Sequence, residues 1–314
     1  MAIQRRYTIL VGAILLTIQW LQVEAQPGSV KQVAAGVWFR EGEIKDQGHC
    51  NNIIIEMKDY LIIVDANFPS GARAALADAR KVSSKPVRYV FDTHHHGDHA
   101  YGNPVWTQNG ATTIAHVGVA EEMKRYEPAG WQSTAKERKD VAELNLPSAE
   151  PPRQTFDKSP HVLQDGSRRV EFHHFGWAHT RGDGFVYLPN EKILCTGDAV
   201  VNGAYNFTGH ANLANWPAVI ARARKLDIRH VLPGHDGPAG PELLDGQMRF
   251  FRDLRASVES QLKQGKGENE IDVAAIAISD EARRWVGQSL RTQAGHMFQE
   301  LKQRKPYGEI AGGK

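Results

Sequence analysis

An apolar run, Val87-Arg88-Tyr89-Val90-Phe91, leads without a break into Asp92-Thr93-His94-His95-His96-Gly97-Asp98-His99, and this junction constrains the chain more than any other stretch. β-Branched and aromatic residues in so short a run read as a buried strand. The polar residues that follow then form a loop at the strand's end. Alternate residues of an extended backbone point the same way, so His94, His96 and Asp98 can converge while His99 turns toward a neighbouring point. Three imidazoles and a carboxylate are ligands that zinc favours.

The rest of the chain supplies a matching scaffold. Residues 37–39 read as a strand, and 53–56 with 61–64 as a β-branched hairpin. Residues 70–81 are alanine-rich and read as a helix with Ser70 as its cap. A strand over 112–115 and a helix over 117–126 follow. The stretch 147–160 carries four prolines and reads as a surface connection between two halves. Strands over 169–175, 184–188 and 192–196, a helix over 216–225 and a strand over 230–232 complete the second half. From about Pro241 the tail is helical: Phe250, Leu254, Val258 and Leu262 recur every fourth residue, and Trp285, Leu290, Ala294, Met297 and Leu301 suggest a second helix. Strand clusters followed by helices predict a layered α/β protein with mixed sheets.

Three more strand ends repeat the theme of the first. Gly176-Trp177-Ala178-His179-Thr180-Arg181-Gly182-Asp183 puts a histidine in a glycine-rich turn. Leu194-Cys195-Thr196-Gly197-Asp198 ends an apolar run on an aspartate, and Val231-Leu232-Pro233-Gly234-His235 ends another on a histidine. One such residue is ordinary; four strand ends, each delivering a metal-type side chain, are not.

In this order the motifs resemble those of the metallo-β-lactamase-fold superfamily: HxHxDH, a histidine in a GHTxG-like turn, an aspartate in GD and a histidine in a late GH. The match runs from about Val33 to Gly237. It implies a four-layer αβ/βα sandwich of two mixed β-sheets flanked by helices, here with a C-terminal helical extension. It also implies that His94, His96 and His179 bind one zinc ion, that Asp98, His99 and His235 bind a second, and that Asp198 bridges them. The activity implied is hydrolysis of a small molecule, with a metal-bound hydroxide attacking a carbonyl centre of an ester, thioester, lactone or amide, β-lactams included. Asp98 would orient that hydroxide and pass a proton on. Two departures matter. Asp198 stands where family β-lactamases usually have cysteine or serine, which is similar to the glyoxalase II, lactonase and phosphodiesterase branches. Arg181 stands where the family more often has proline. Two Zn2+ are the expected cofactors, with iron or manganese as alternatives, and an iron-dependent redox enzyme acting on sulfur compounds or gases is the competing reading of the same scaffold.

The termini and composition refine this. Arg5-Arg6, an apolar run over 9–18 and Val23-Glu24-Ala25 read as a signal peptide over residues 1–25, so the chain is expected to be periplasmic or secreted. The run is shorter than the ~20 apolar residues a membrane span needs, so no stable insertion is expected after cleavage. Residues 26–240 then form the hydrolase domain and 241–314 the helical extension. A net charge of +2 gives no reason to expect nucleic acid as a partner. Cys50 and Cys195 read as either a disulfide or buried thiols. Tyr205, Asn206 and His210, on a glycine-rich loop, are expected to touch substrate. His95 is expected to face outward, Asp183 to orient a ligand histidine, and His116, His173 and His174 to be structural, with one of the last two buried and the other exposed.

Overall fold

The computed structural model describes residues 28–203, 207–285 and 290–312. The expected signal peptide and two of the three expected substrate contacts, Tyr205 and Asn206, lie outside these residues. Among the described residues, twelve strands form two sheets. The first holds β1 (Val30–Ala34), β2 (Val37–Arg40), β3 (Asn52–Glu56), β4 (Leu61–Val64), β5 (Val87–Phe91), β6 (Thr112–His116) and β7 (Gln154–Phe156), side by side in that order. The second holds β8 (His161–Gln164), β9 (Arg169–His173), β10 (Phe185–Leu188), β11 (Ile193–Gly197) and β12 (His230–Pro233). Both sheets are mixed: β1–β4 pair antiparallel and β4–β7 parallel, while β8–β11 pair antiparallel and β11–β12 parallel.

The pleat sorts each strand's side chains into two layers. Ile53, Ile55, Ile62, Val64 and Phe91 point inward to meet Phe172, Val186, Leu188, Ile193, Cys195 and Leu232 of the second sheet. Phe91 and Phe172 stack across that interface with ring centroids 4.4 Å apart. The alternate residues Ile54, Ile63 and Val90 point outward against the helix Pro69–Val82. On the far side Phe185, Tyr187, Leu194 and Val231 pack against the helices Trp216–Ala223 and Glu242–Lys263. The result is the expected helix–sheet–sheet–helix sandwich. Burying one such aromatic or aliphatic side chain contributes roughly 1.5–3 kcal/mol, and the three apolar layers hold dozens.

Several local expectations are corrected. The helix from Pro69 is not capped by Ser70: its first turn follows Phe68, and Ser70 gives both its N–H and its hydroxyl to Asp140. The proline-rich stretch is not wholly a connection, since it contains β7, the last strand of the first sheet. β1 and β8 are further strands beyond those read from the sequence. Trp285 belongs to a short 3-10 turn before the helix Leu290–Gln303, and a last helix covers Tyr307–Ala311. Cys50 and Cys195 are both buried free thiols. Among the described residues, no helix is long and apolar enough to cross a membrane.

Candidate metal centre

The parallel strands deliver their carboxyl ends to one edge of the sandwich, and the motifs meet there. β5 ends at Phe91 and runs into Thr93 and His94; β11 ends at Gly197, next to Asp198; β12 ends at Pro233, before Gly234 and His235. Gly197 has φ +50, a left-handed conformation that suits glycine, and a Cβ there would strike the side chain of Thr93. Thr93 is fixed on both sides: its N–H donates to Asp65 Oδ1 at 2.8 Å, and its carbonyl accepts from Gly184 at 2.7 Å. His96 closes the extended segment and starts a single helical turn, Gly97–Ala100, which swings His99 inward.

Two groups of side chains result. In the first, Nε2 of His94 and Nε2 of His179 each lie 3.0 Å from Nδ1 of His96. Burial, then neighbouring imidazoles, hold His94 and His96 well below the ordinary histidine range, and burial brings His179 to about 4. A neutral imidazole offers one N–H and one lone pair, so three neutral rings aimed at one point present lone pairs that hydrogen bonds among themselves cannot satisfy. A divalent cation satisfies them.

The second group is charged. Nε2 of His99 and of His235 lie 3.3 Å apart, and Asp98 Oδ2 is 3.4 Å from the former and 3.1 Å from the latter. Burial alone would neutralise all of them. Mutual attraction wins: Asp98 and Asp198 are held well below the carboxylate range, His99 is raised well above its usual value and His235 to about 10. A metal ion would take the place of the imidazole protons.

Asp198 faces both groups. Its Oδ1 is 3.3 Å from His99, and its Oδ2 is 3.3 Å from His235 and 3.9 Å from His179. All seven residues read from the motifs therefore gather at one place, and a cleft of about 330 Å³ opens over them, lined by His96, Gly97, Asp98, Asp198, Phe207, His210 and His235.

Around this centre three expectations need correction. His95 does not face outward: it is buried, with Nε2 3.2 Å from Nδ1 of His210. Asp183 does not orient a ligand imidazole. It accepts from the N–H groups of Ala178 and Thr180 and from the Thr180 hydroxyl, so it fixes the turn that carries His179. His174 is not exposed but half-buried: it stacks on His116, which caps the helix Val117–Tyr126 through Gly118 N–H. His210 does line the cleft, and Arg181 pairs with Glu122 and Glu309. Sequence reasoning missed Asp65, whose Oδ2 lies 2.9 Å from His99 Nδ1 and fixes that ring. The signal was available, since Asp65 follows the apolar run 61–64 as Asp198 follows β11. It also missed Cys50, packed within 4.8 Å of the His99 and Asp65 ligand atoms with its thiol pushed by burial to about 12, and Phe207, an exposed aromatic at the cleft.

A family model for the metallo-beta-lactamase superfamily matches residues 46–266. This chain belongs to that superfamily. Among solved structures it is similar to a metallo-beta-lactamase from Pontibacter korlensis (TM-score 0.59, 21% identity, covering 71% of this chain and 98% of that one). It is also similar to a stereoselective inverting sec-alkylsulfatase from Pseudomonas sp. (TM-score 0.70, 18% identity, 87% of this chain and 50% of that one). A curated relative, the linear primary-alkylsulfatase of Pseudomonas sp. (strain ATCC 19151), is 23% identical over 242 residues, 66% of this chain. The aligned part spans 46% of that relative's length.

Proposed function

We propose that this chain is an exported hydrolase that uses two zinc ions to cleave a small carbonyl substrate: an ester, thioester, lactone or amide. The observation that carries the reading is Asp198, whose Oδ2 lies between His179 of the three-histidine group and His235 of the other group, with Oδ1 beside His99. In this reading His94, His96 and His179 hold one ion, Asp98, His99 and His235 the other, and Asp198 joins them. Residues 1–25 as export signal, 26–240 as hydrolase domain and 241–314 as helical extension belong to the same proposal.

When bound, the ions polarise the substrate oxygen and lower the pKa of water toward ~7, so that a nucleophile exists near neutral pH. The chain's own groups do the remaining work. Asp98 borders the cleft and is held as a carboxylate, so it accepts a hydrogen bond from the attacking water and orients it. Asp65 holds the His99 ring with Nε2 turned to the centre. Phe207 gives the substrate an apolar wall. Among the described residues lining the cleft there is no lysine or arginine, which suits a neutral carbonyl substrate.

A second reading, hydrolysis of a sulfate ester, is favoured by the alkylsulfatase likeness, which covers 87% of this chain against 71% for the lactamase. The zinc-loaded protein, assayed on p-nitrophenyl acetate, a thioester, a lactone, nitrocefin and p-nitrophenyl sulfate, separates the two. Turnover of a carbonyl substrate, abolished by chelation and restored by Zn2+, is the expected result. Turnover of the sulfate alone replaces it with the second reading, and no turnover of any substrate overturns both. Iron as the metal retained by protein made without added metal overturns the zinc assignment.

A further inference from the structure

We propose that His95, His96 and His210 form a further three-imidazole site for a divalent transition-metal ion, adjoining the main centre and sharing His96 with it. It rests on the proposed function only for the sharing of that ring.

The argument begins with dimensions. In the first triad, His94, His96 and His179, the facing nitrogens are 3.0 Å apart and the ring centroids are separated by 4.6, 4.8 and 4.8 Å. In the second triad, Nδ1 of His210 lies 2.9 Å from Nε2 of His96 and 3.2 Å from Nε2 of His95, and the centroids are separated by 4.6, 5.0 and 5.0 Å. The two triads are nearly the same size. They use opposite faces of one ring, since His96 turns Nδ1 to the first and Nε2 to the second.

Hydrogen bonding accounts poorly for this geometry. An imidazole nitrogen has a single lone pair, and both His95 and His96 aim Nε2 at Nδ1 of His210. A cation uses all three nitrogens at once. The rings are also held in place before any ion arrives. Tyr126 stacks on His95 (centroids 5.3 Å, 9° between planes) and on His210 (4.1 Å, 21°). The His210 carbonyl accepts from Trp177 Nε1 at 2.8 Å, and the next carbonyl, of Ala211, accepts from Gly308 at 2.9 Å. His96 and His210 both line the cleft, which gives an ion its path in.

Three imidazoles without a carboxylate suit Zn2+ or Cu2+ and not Mg2+ or Ca2+. The balance is simple. His95 and His210 give neutral lone pairs, and the ion displaces the one remaining proton of His96, from Nε2, to solvent. With an ion already on Nδ1 of His96, each ion bound at the second triad therefore releases one proton; with Nδ1 free, the ring keeps its proton there and none is released.

The test is a metal count. The full chain is loaded with Zn2+, desalted, and analysed by mass spectrometry for ions per chain; a second sample, given only two equivalents of Zn2+, then receives one equivalent of Cu2+ and its electron paramagnetic resonance is recorded. The expected result is three ions per wild-type chain, and two for both His95→Gln and His210→Ala, with circular dichroism unchanged in at least one of them. Copper bound to the wild type should show nitrogen couplings that His210→Ala removes. Equal counts in wild type and variants, with no copper signal that depends on His210, would overturn the proposal and leave His210 as a hydrogen-bond acceptor for His96. A chain that binds one ion, lost in His210→Ala, would uphold this site and sink the binuclear reading, so the two failures are distinct.

Discussion

Glu300 is buried on the helix Leu290–Gln303, yet its carboxylate reaches the loop that carries His210. Its oxygens accept from the N–H groups of Leu213 at 2.9 Å, Ala214 at 2.6 Å and Tyr307 at 3.0 Å. Replacing Glu300 by alanine strands three N–H groups at once. A hydrogen bond to a charged group contributes roughly 1.5–3 kcal/mol net, so three sum to about 4.5–9 kcal/mol. Burial raises the Glu300 pKa, which means that the carboxylate is desolvated in the fold, and removing it relieves part of that cost. A net destabilisation of about 2–4 kcal/mol is expected, a large share of the ~5–15 kcal/mol that stabilises an ordinary domain. Urea titration of the metal-loaded protein measures it. Glu300→Gln keeps one acceptor oxygen and should lose about half as much. In both variants KM for the substrate should rise, because the loop bearing His210 loses its anchor, while any metal bound at the proposed site of His94, His96, Asp98, His99, His179, Asp198 and His235 should be retained. A midpoint within ~0.5 kcal/mol of wild type for Glu300→Ala, the level of a neutral surface change, would refute the reasoning.

Other perturbations test other parts of the structure. A Cβ on Gly234 would collide with Asp198 Oδ1, the Gly197 backbone and His99 Cε1, so Gly234→Ala should fold but lose at least one zinc per chain and more than ten-fold in kcat/KM. His116 and His174 stack face to face, with centroids 3.8 Å apart. Burial, aided by repulsion from His174, takes His116 to about 4, and burial, with the Arg222 charge beside it, lowers His174. Since the unfolded chain binds these protons near pH 6.5, stability from this pair should fall as pH drops from about 6.5 toward 4. His116→Asn keeps a capping oxygen and should flatten that dependence in melting curves recorded across the range.

The centre was legible because it is written in strand ends. An apolar run that stops on His94, Asp198 or His235 states both the support and the ligand, and the pleat places them. The weaker strands were harder to see for a physical reason: β1 and β8 lie at sheet edges with exposed or half-buried side chains, so no apolar alternation marks them. His95 was misplaced because the side of the loop turned away from the first triad does not face solvent: Tyr126 and His210 cover it. The partnership of His95, His96 and His210 joins residues more than a hundred positions apart through a loop with no periodicity of its own. Glu300 was invisible for the same reason, as a glutamate in an amphipathic helix ordinarily faces water.

The seven side chains at the centre come from both halves of the sandwich: His94, His96, Asp98 and His99 follow a strand of the first sheet, Asp198 and His235 follow strands of the second, and His179 lies between two of the latter. Ions seated among them fasten one sheet to the other at the edge where the apolar filling ends. Any ligand that binds only the folded form adds RT ln(1 + [L]/Kd) to stability, about 4 kcal/mol at a thousand-fold excess over Kd. If the proposed ions bind, metal supply would govern the lifetime of the molecule as well as its turnover, since a chain without them would lose this fastening between the sheets.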